Sequence, residues 1–166
     1  MQGQPSSTAI VAAIADAFPT HPLAPDHAFT EWGTTYLDAE KFENQSRGQR
    51  WNELTLTFLE FHQDAIWFLG PLAYAEYLPA FLTAVVVPTK EIDSLPPSLL
   101  NTLIRKQDDL PRQRRFDARL QHLNEKQQRT VACALEFLEQ TLPDGLEKDL
   151  AKSALDDYWR NILRRR

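Results

Sequence analysis

One cysteine in 166 residues, Cys133, excludes an internal disulfide framework and fits a reducing compartment. Long apolar runs are missing as well. Glu53, Glu60, His62, Asp64 and Glu76 interrupt the most hydrophobic region before any stretch reaches the length of a membrane-spanning helix, so no membrane association is expected. The opening MQGQPSSTAIVAAIADAF has no basic leader before its apolar part and carries Asp16, so it does not read as a secretory signal, and a cytoplasmic address is the expectation. Also lacking is any motif whose spacing demands one particular chemistry. What is present is the composition of a soluble globular protein, 43% hydrophobic and 25% charged. A chain of this length suits one domain, residues 1–166, with a core large enough to stand without metal or disulfide staples.

The net charge of −5 averages over two unlike parts. Residues 1–100 hold 12 Asp or Glu against 4 Lys or Arg, whereas residues 101–166 hold 11 against 14. An acidic first part disfavours nucleic acid and suits a protein partner with a basic surface.

Hydrophobic periodicity predicts helices throughout. Ser6, Ser7 and Thr8 precede a helix over about Thr8–Phe18, with Ile10, Ala13, Ile14 and Ala17 on one face. Pro19, Pro22 and Pro25 end it. His21 and His27 lie on that connection without a third ligand at metal-site spacing, so no metal is expected. Short helical turns are predicted within 26–44, where Asp38, Glu40 and Glu43 gather beside Phe42. An exposed acidic face is the plain reading of that group, and an acid/base pair would need a cleft to separate its pKa values.

The stretch from Trp51 to Val87 carries the clearest pattern. On a helix over about 47–69, Trp51, Leu54, Phe58, Phe61, His62, Ala65 and Leu69 form one stripe, opposed by Glu53, Glu60 and Asp64. One long helix satisfies this, as do two helices broken near Phe61. Trp67 projects with the acids and either meets another element, burial under the N-terminal segment being the plain case, or is exposed as part of a recognition patch. His62 falls inside the apolar stripe, either as a neutral core histidine held by a backbone carbonyl or as a catalytic base in an aromatic pocket. Gly70-Pro71 then starts PLAYAEYLPAFLTAVVV, apolar on nearly every side: a central helix, kinked or restarted at Pro79, with a short strand at 84–87 as the alternative ending.

Beyond a loop over 88–97, PPSLLNTLIRK forms a short helix for which Asp93 or Ser94 is the candidate cap. Arg112, Arg114, Arg115 and Arg119 form a dense basic group, partly neutralised by Asp108, Asp109 and Asp117. Without interleaved aromatics it does not make a nucleic-acid surface. Asn124 and Gln127 stand at capping-box spacing before an apolar stripe of Val131, Ala134, Leu135, Leu138 and Leu142. Cys133 on its flank is a packed thiol. After the Pro143-Asp144-Gly145 turn, the last helix puts Leu146, Leu150, Ala154 and Tyr158 on one ridge and Ala151, Leu155, Trp159 and Ile162 on the next. Its terminal arginines complement the helix dipole.

The run Trp51-x-x-Leu54, then Trp67-Phe68-Leu69-Gly70-Pro71-x-Ala73-x-x-x-Tyr77-Leu78-Pro79-Ala80-Phe81-Leu82, then Gln128-x-x-Val131-x-x-x-Leu135-x-Phe137-Leu138, resembles a family of small uncharacterised bacterial proteins. The likeness spans Trp51–Phe81 and Phe116–Leu142. It departs from some relatives near the N-terminus, where His27, Glu31 and Trp32 stand without the cysteine those relatives carry. The resemblance implies a bacterial, helical, cytoplasmic protein.

The fold expected is all-α: a compact bundle of about six or seven helices around a nearly all-apolar central helix. The function expected is non-enzymatic protein binding, most concretely by an immunity protein that neutralises a basic bacterial toxin domain. Its contacts would be Asp38, Glu40, Glu43, Glu53, Glu60, Asp64 and Trp67, and no cofactor is expected. The alternatives are an enzyme or small-ligand sensor built on His62, and a structural helical oligomer.

Overall fold

A computed structural model describes residues 5–21, 37–87, 89 and 92–165. All regular structure there is helical. Seven helices have eight residues or more: α1 (Ser7–Ala17), α2 (Leu37–Ser46), α5 (Pro71–Val86), α6 (Leu95–Thr102), α7 (Leu110–Leu120), α8 (Glu125–Thr141) and α9 (Leu146–Ala154). Shorter pieces are a 3₁₀ turn at Trp51–Glu53, α3 (Leu56–Phe61), α4 (Ala65–Phe68), a π turn at Leu155–Trp159 and α10 (Arg160–Arg164).

Local signals explain most of the ends. Ser6 accepts the amide of Ala9 at 3.2 Å and starts α1. Gly48 at φ 78° follows α2 and takes the left-handed backbone that closes a helix. Asn124 and Gln127 exchange their capping-box bonds at 2.9 Å each, so that pairing is as expected.

The region 47–69 is neither one helix nor two broken only at Phe61. Leu54 and Thr55 are extended, and the Thr55 hydroxyl accepts the Phe58 amide at 3.2 Å, restarting the helix after the 3₁₀ turn. A second break at His62 separates α3 from α4. Each restart rotates the following residues about the axis. Phe61, expected in the buried stripe, is therefore 75% exposed, while Leu59 and Ile66 take core positions. The stripe otherwise holds for Trp51, Ala65 and Leu69.

Helix α5 is the centre. It packs against α1, the 3₁₀ turn, α3, α6, α7 and α8, and twelve of its residues are buried. It runs unbroken through Pro79 and on to Val86, so there is neither a restart nor a terminal strand. Burial on all sides offsets the backbone bond that Pro79 cannot donate. Two tyrosines fix its neighbours: Tyr77 donates to the Ser46 carbonyl at 3.2 Å, and Tyr74 shares a 2.8 Å bond with the Thr102 hydroxyl. The indoles do likewise, Trp51 to the Pro19 carbonyl at 3.2 Å and Trp159 to the Leu103 carbonyl at 2.8 Å.

One contiguous apolar cluster runs from Ile10 in α1 to Ile162 in α10. Helix α1 leans on both α5 and α8, and Lys126 pairs with Asp16 at 2.8 Å across that seam. The last helical stretch buries Ala151, Ala154, Leu155, Trp159 and Ile162, but Leu146 at its start is 65% exposed because the ridge leaves the core there.

Candidate functional site: the acidic side of α2 to α4

Two of the seven candidate residues are committed to backbone. Glu60, at the end of α3, accepts the amides of Asp93, Ser94 and Leu95 at 3.1, 2.9 and 3.1 Å. These are the free donors at the start of α6, whose next two positions are the prolines 96 and 97. The cap therefore comes from a carboxylate more than thirty residues away, and neither Asp93 nor Ser94 caps by its own side chain. Glu53 reaches back to the Arg50 amide at 2.7 Å and closes the 3₁₀ turn.

Trp67 takes the first of its two expected fates. It lies half-buried against α7, with the Arg112 guanidinium 5.4 Å from its ring, and so meets another element rather than standing exposed among the acids. Arg112 also donates to the Asn101 carbonyl at 3.3 Å. Arg119 is 3% exposed. It donates to the carbonyls of Ile66, Trp67 and Leu69 at 3.3, 2.9 and 3.3 Å, and its guanidinium stacks 4.3 Å from the Tyr74 ring. A planar cation with a fork of donors satisfies the carbonyls that α4 leaves open at its end. Nearby, Arg105 holds Asp117 through bonds of 2.7 and 3.0 Å. Two of the four arginines grouped in the sequence, Arg112 and Arg119, are thus turned to internal bonding.

Asp38, Glu40, Glu43 and Asp64 remain on the outside. Asp38 and Asp64 are exposed, Glu40 and Glu43 half-buried, and Glu43 pairs with Arg47 one helical turn on. Helix α2 packs beside α4. His62 marks where the two meet: its Nε2 lies 3.0 Å from Gln45 Oε1, and Asp38 and Lys41 both act on its charge.

The imidazole is 3% exposed and ringed by Phe42, Phe58 and Phe61 at centroid distances of 5.9, 4.5 and 4.9 Å. Burial lowers its pKa from the ordinary value, against the raising effect of Asp38 and with the lowering effect of Lys41. A neutral histidine held by an amide side chain is the result. The expected backbone carbonyl is replaced by Gln45.

Phe61 covers this histidine edge-on and faces solvent. Leu37, at the start of α2 beside Asp38, is 70% exposed. Two large apolar side chains among exposed carboxylates are what the sequence reading missed. Periodicity placed Phe61 inside, and only Thr55, recognised as a cap, signals the rotation.

Of the remaining candidates, His21 pairs with Glu76 at 3.3 Å, and His27 lies outside the described residues. Among the described residues, no group of three or more His, Cys, Asp or Glu side chains is placed to hold a metal ion, and no helix is long and apolar enough to cross a membrane. Cys133 is half-buried, and burial raises its thiol pKa above the ordinary value despite Arg129.

The sequence over residues 8–163 matches a family of unknown function, DUF6714, and the chain belongs to that family. No curated protein and no solved structure matches it at a significant level.

Proposed function

We propose that this chain is a non-enzymatic protein-binding protein that engages a basic partner surface through α2 and the α3–α4 corner. Its most concrete form is a bacterial, cytoplasmic immunity protein that neutralises a basic toxin domain. The observation that carries this reading is Phe61, 75% exposed beside a histidine that feels Asp38, with Asp64 three residues further on. An aromatic anchor framed by charge is a common centre of protein recognition, and the surrounding carboxylates speed encounter with a cationic surface. The contact set is accordingly Leu37, Asp38, Glu40, Glu43, Phe61 and Asp64. Glu53, Glu60 and Trp67 support the face from behind.

The catalytic alternative has less support, because His62 is 3% exposed and bonded to Gln45. A structural oligomer is separated by light scattering, where a monomer counts against it.

The test is calorimetric binding to the purified product of the adjacent gene, with Asp38→Lys/Asp64→Lys and Phe61→Ala as variants. Growth of cells producing that product is followed with and without this chain. The reading expects tight, salt-weakened binding that both variants reduce, and rescue of growth that they abolish. Unchanged affinity in both variants would remove this face from the account, and binding without rescue would remove the immunity role.

A further inference from the structure

Beside α5 lies a groove of ≈ 390 Å³, walled by α1, the 3₁₀ turn, α3 and α5. That volume falls within the roughly 300–1,000 Å³ of small-molecule pockets. Its lining is aliphatic and aromatic, from Val11, Trp51, Leu54, Leu56, Leu59 and Val87 among others. No ionisable side chain lines it among the described residues, so a charged group would lose its hydration with nothing in return. The Trp51 indole N–H is already engaged by Pro19. Among the described lining residues, the polar side chains are those of Asn52, exposed beside the groove, and Thr83.

Thr83 is the informative residue. The residue is half-buried at the groove wall, and its Oγ1 is buried and has no hydrogen-bond partner, not even the Pro79 carbonyl one turn back. The hydroxyl is thus turned away from the groove. A buried hydroxyl without a partner is costly, and threonine in a helix divides between two χ1 wells. A ~120° turn about χ1 can carry the hydroxyl to the place of the methyl, the methyl then taking that of the hydrogen. An oxygen placed in the groove would give the hydroxyl the partner it lacks inside.

We infer that this groove binds a neutral, predominantly aliphatic small molecule carrying one hydrogen-bonding oxygen, which pairs with the Thr83 hydroxyl. An extended peptide is the poorer occupant, since its amides would lie against an apolar wall without acceptors. This site is separate from the acidic face and does not depend on its role.

The probe is 1-octanol, titrated into the full chain by calorimetry. Saturable one-to-one binding is expected. Thr83→Val keeps the shape and removes the hydroxyl, so affinity should fall about five- to tenfold, the effect of one neutral hydrogen bond. Val87, 38% exposed at the groove edge, can be enlarged at little cost to the core, and Val87→Trp should abolish binding with the thermal melt unchanged. If that variant shifts the melt, Leu56→Trp on the half-exposed wall takes its place. Absence of saturable binding to the unaltered chain, equal affinity in Thr83→Val, or full affinity in the filled variant overturns the inference. A concentration-dependent dimer that Val87→Trp abolishes assigns the groove to a second copy, and also overturns it.

Discussion

Replacing Glu60 by alanine removes the shared acceptor of three amides at the start of α6. The Asp93 bond is exposed and water replaces it readily, but those of Ser94 and Leu95 are partly buried. Hydrogen bonds to a charged group contribute about 1.5–3 kcal/mol each, and partial hydration of the freed amides reduces this, so Glu60→Ala should cost ~3 kcal/mol. Glu60→Gln keeps one oxygen but turns an NH₂ toward the Leu95 amide, and should cost ~1.5 kcal/mol. Ser94→Ala, at the N-cap position but making no side-chain cap bond, should be nearly neutral. Urea unfolding followed by far-UV circular dichroism measures all three. Raising salt to about 1 M should narrow the gap between Glu and Gln, because the charge on the helix end is screened, and leave the gap between Gln and Ala. A Glu60→Ala protein as stable as the parent, or a Ser94→Ala protein less stable than Glu60→Ala, refutes the long-range cap.

Arg119→Leu should destabilise by about 3–5 kcal/mol, as it strands three carbonyls inside the protein, and Arg119→Lys should recover part of that loss in the same assay. Because the His62 pKa is lowered on folding, the unfolded chain takes up more protons as pH falls below about 6.5, so stability should drop from pH 7 to pH 5.5. His62→Gln should remove part of that slope in urea midpoints measured across the range; an unchanged slope contradicts the assignment. Phe61→Ala should alter stability by no more than about 0.5 kcal/mol, whereas Leu59→Ala should cost about 2–5 kcal/mol, the reverse of what one straight helix through 47–69 requires.

What could be read directly from the sequence was local. The Asn124–Gln127 box, the serine before α1 and the all-round apolarity of α5 each follow from residues within one or two turns, and all are present. Periodicity failed where two weak local events outvoted it: Thr55 restarting a helix and His62 ending one. Phe61 then moved from the predicted core to the surface. Three acids that looked equivalent along one face met different fates for reasons no spacing rule contains. Glu60 found a helix start beyond α5, Glu53 found its own turn, and Asp64 kept to water. Arg119 was similarly opaque, since its carbonyl partners lie about fifty residues away. Such pairings depend on the packing of complete helices, and each side chain looks like ordinary surface charge until that packing is known.

The seam between α1 and α8 bears on how the protein is made. Lys126 and Asp16 are 110 residues apart, so at a synthesis rate of about 5–20 residues per second several seconds pass between the appearance of one and the other. Until α8 has emerged, Ile10, Ile14 and Ala17 have at most α5 as a partner. Helix α1 is thus synthesised well before the helix that completes its cover, and its apolar ridge stays open to chaperones and to other unfinished copies in the meantime.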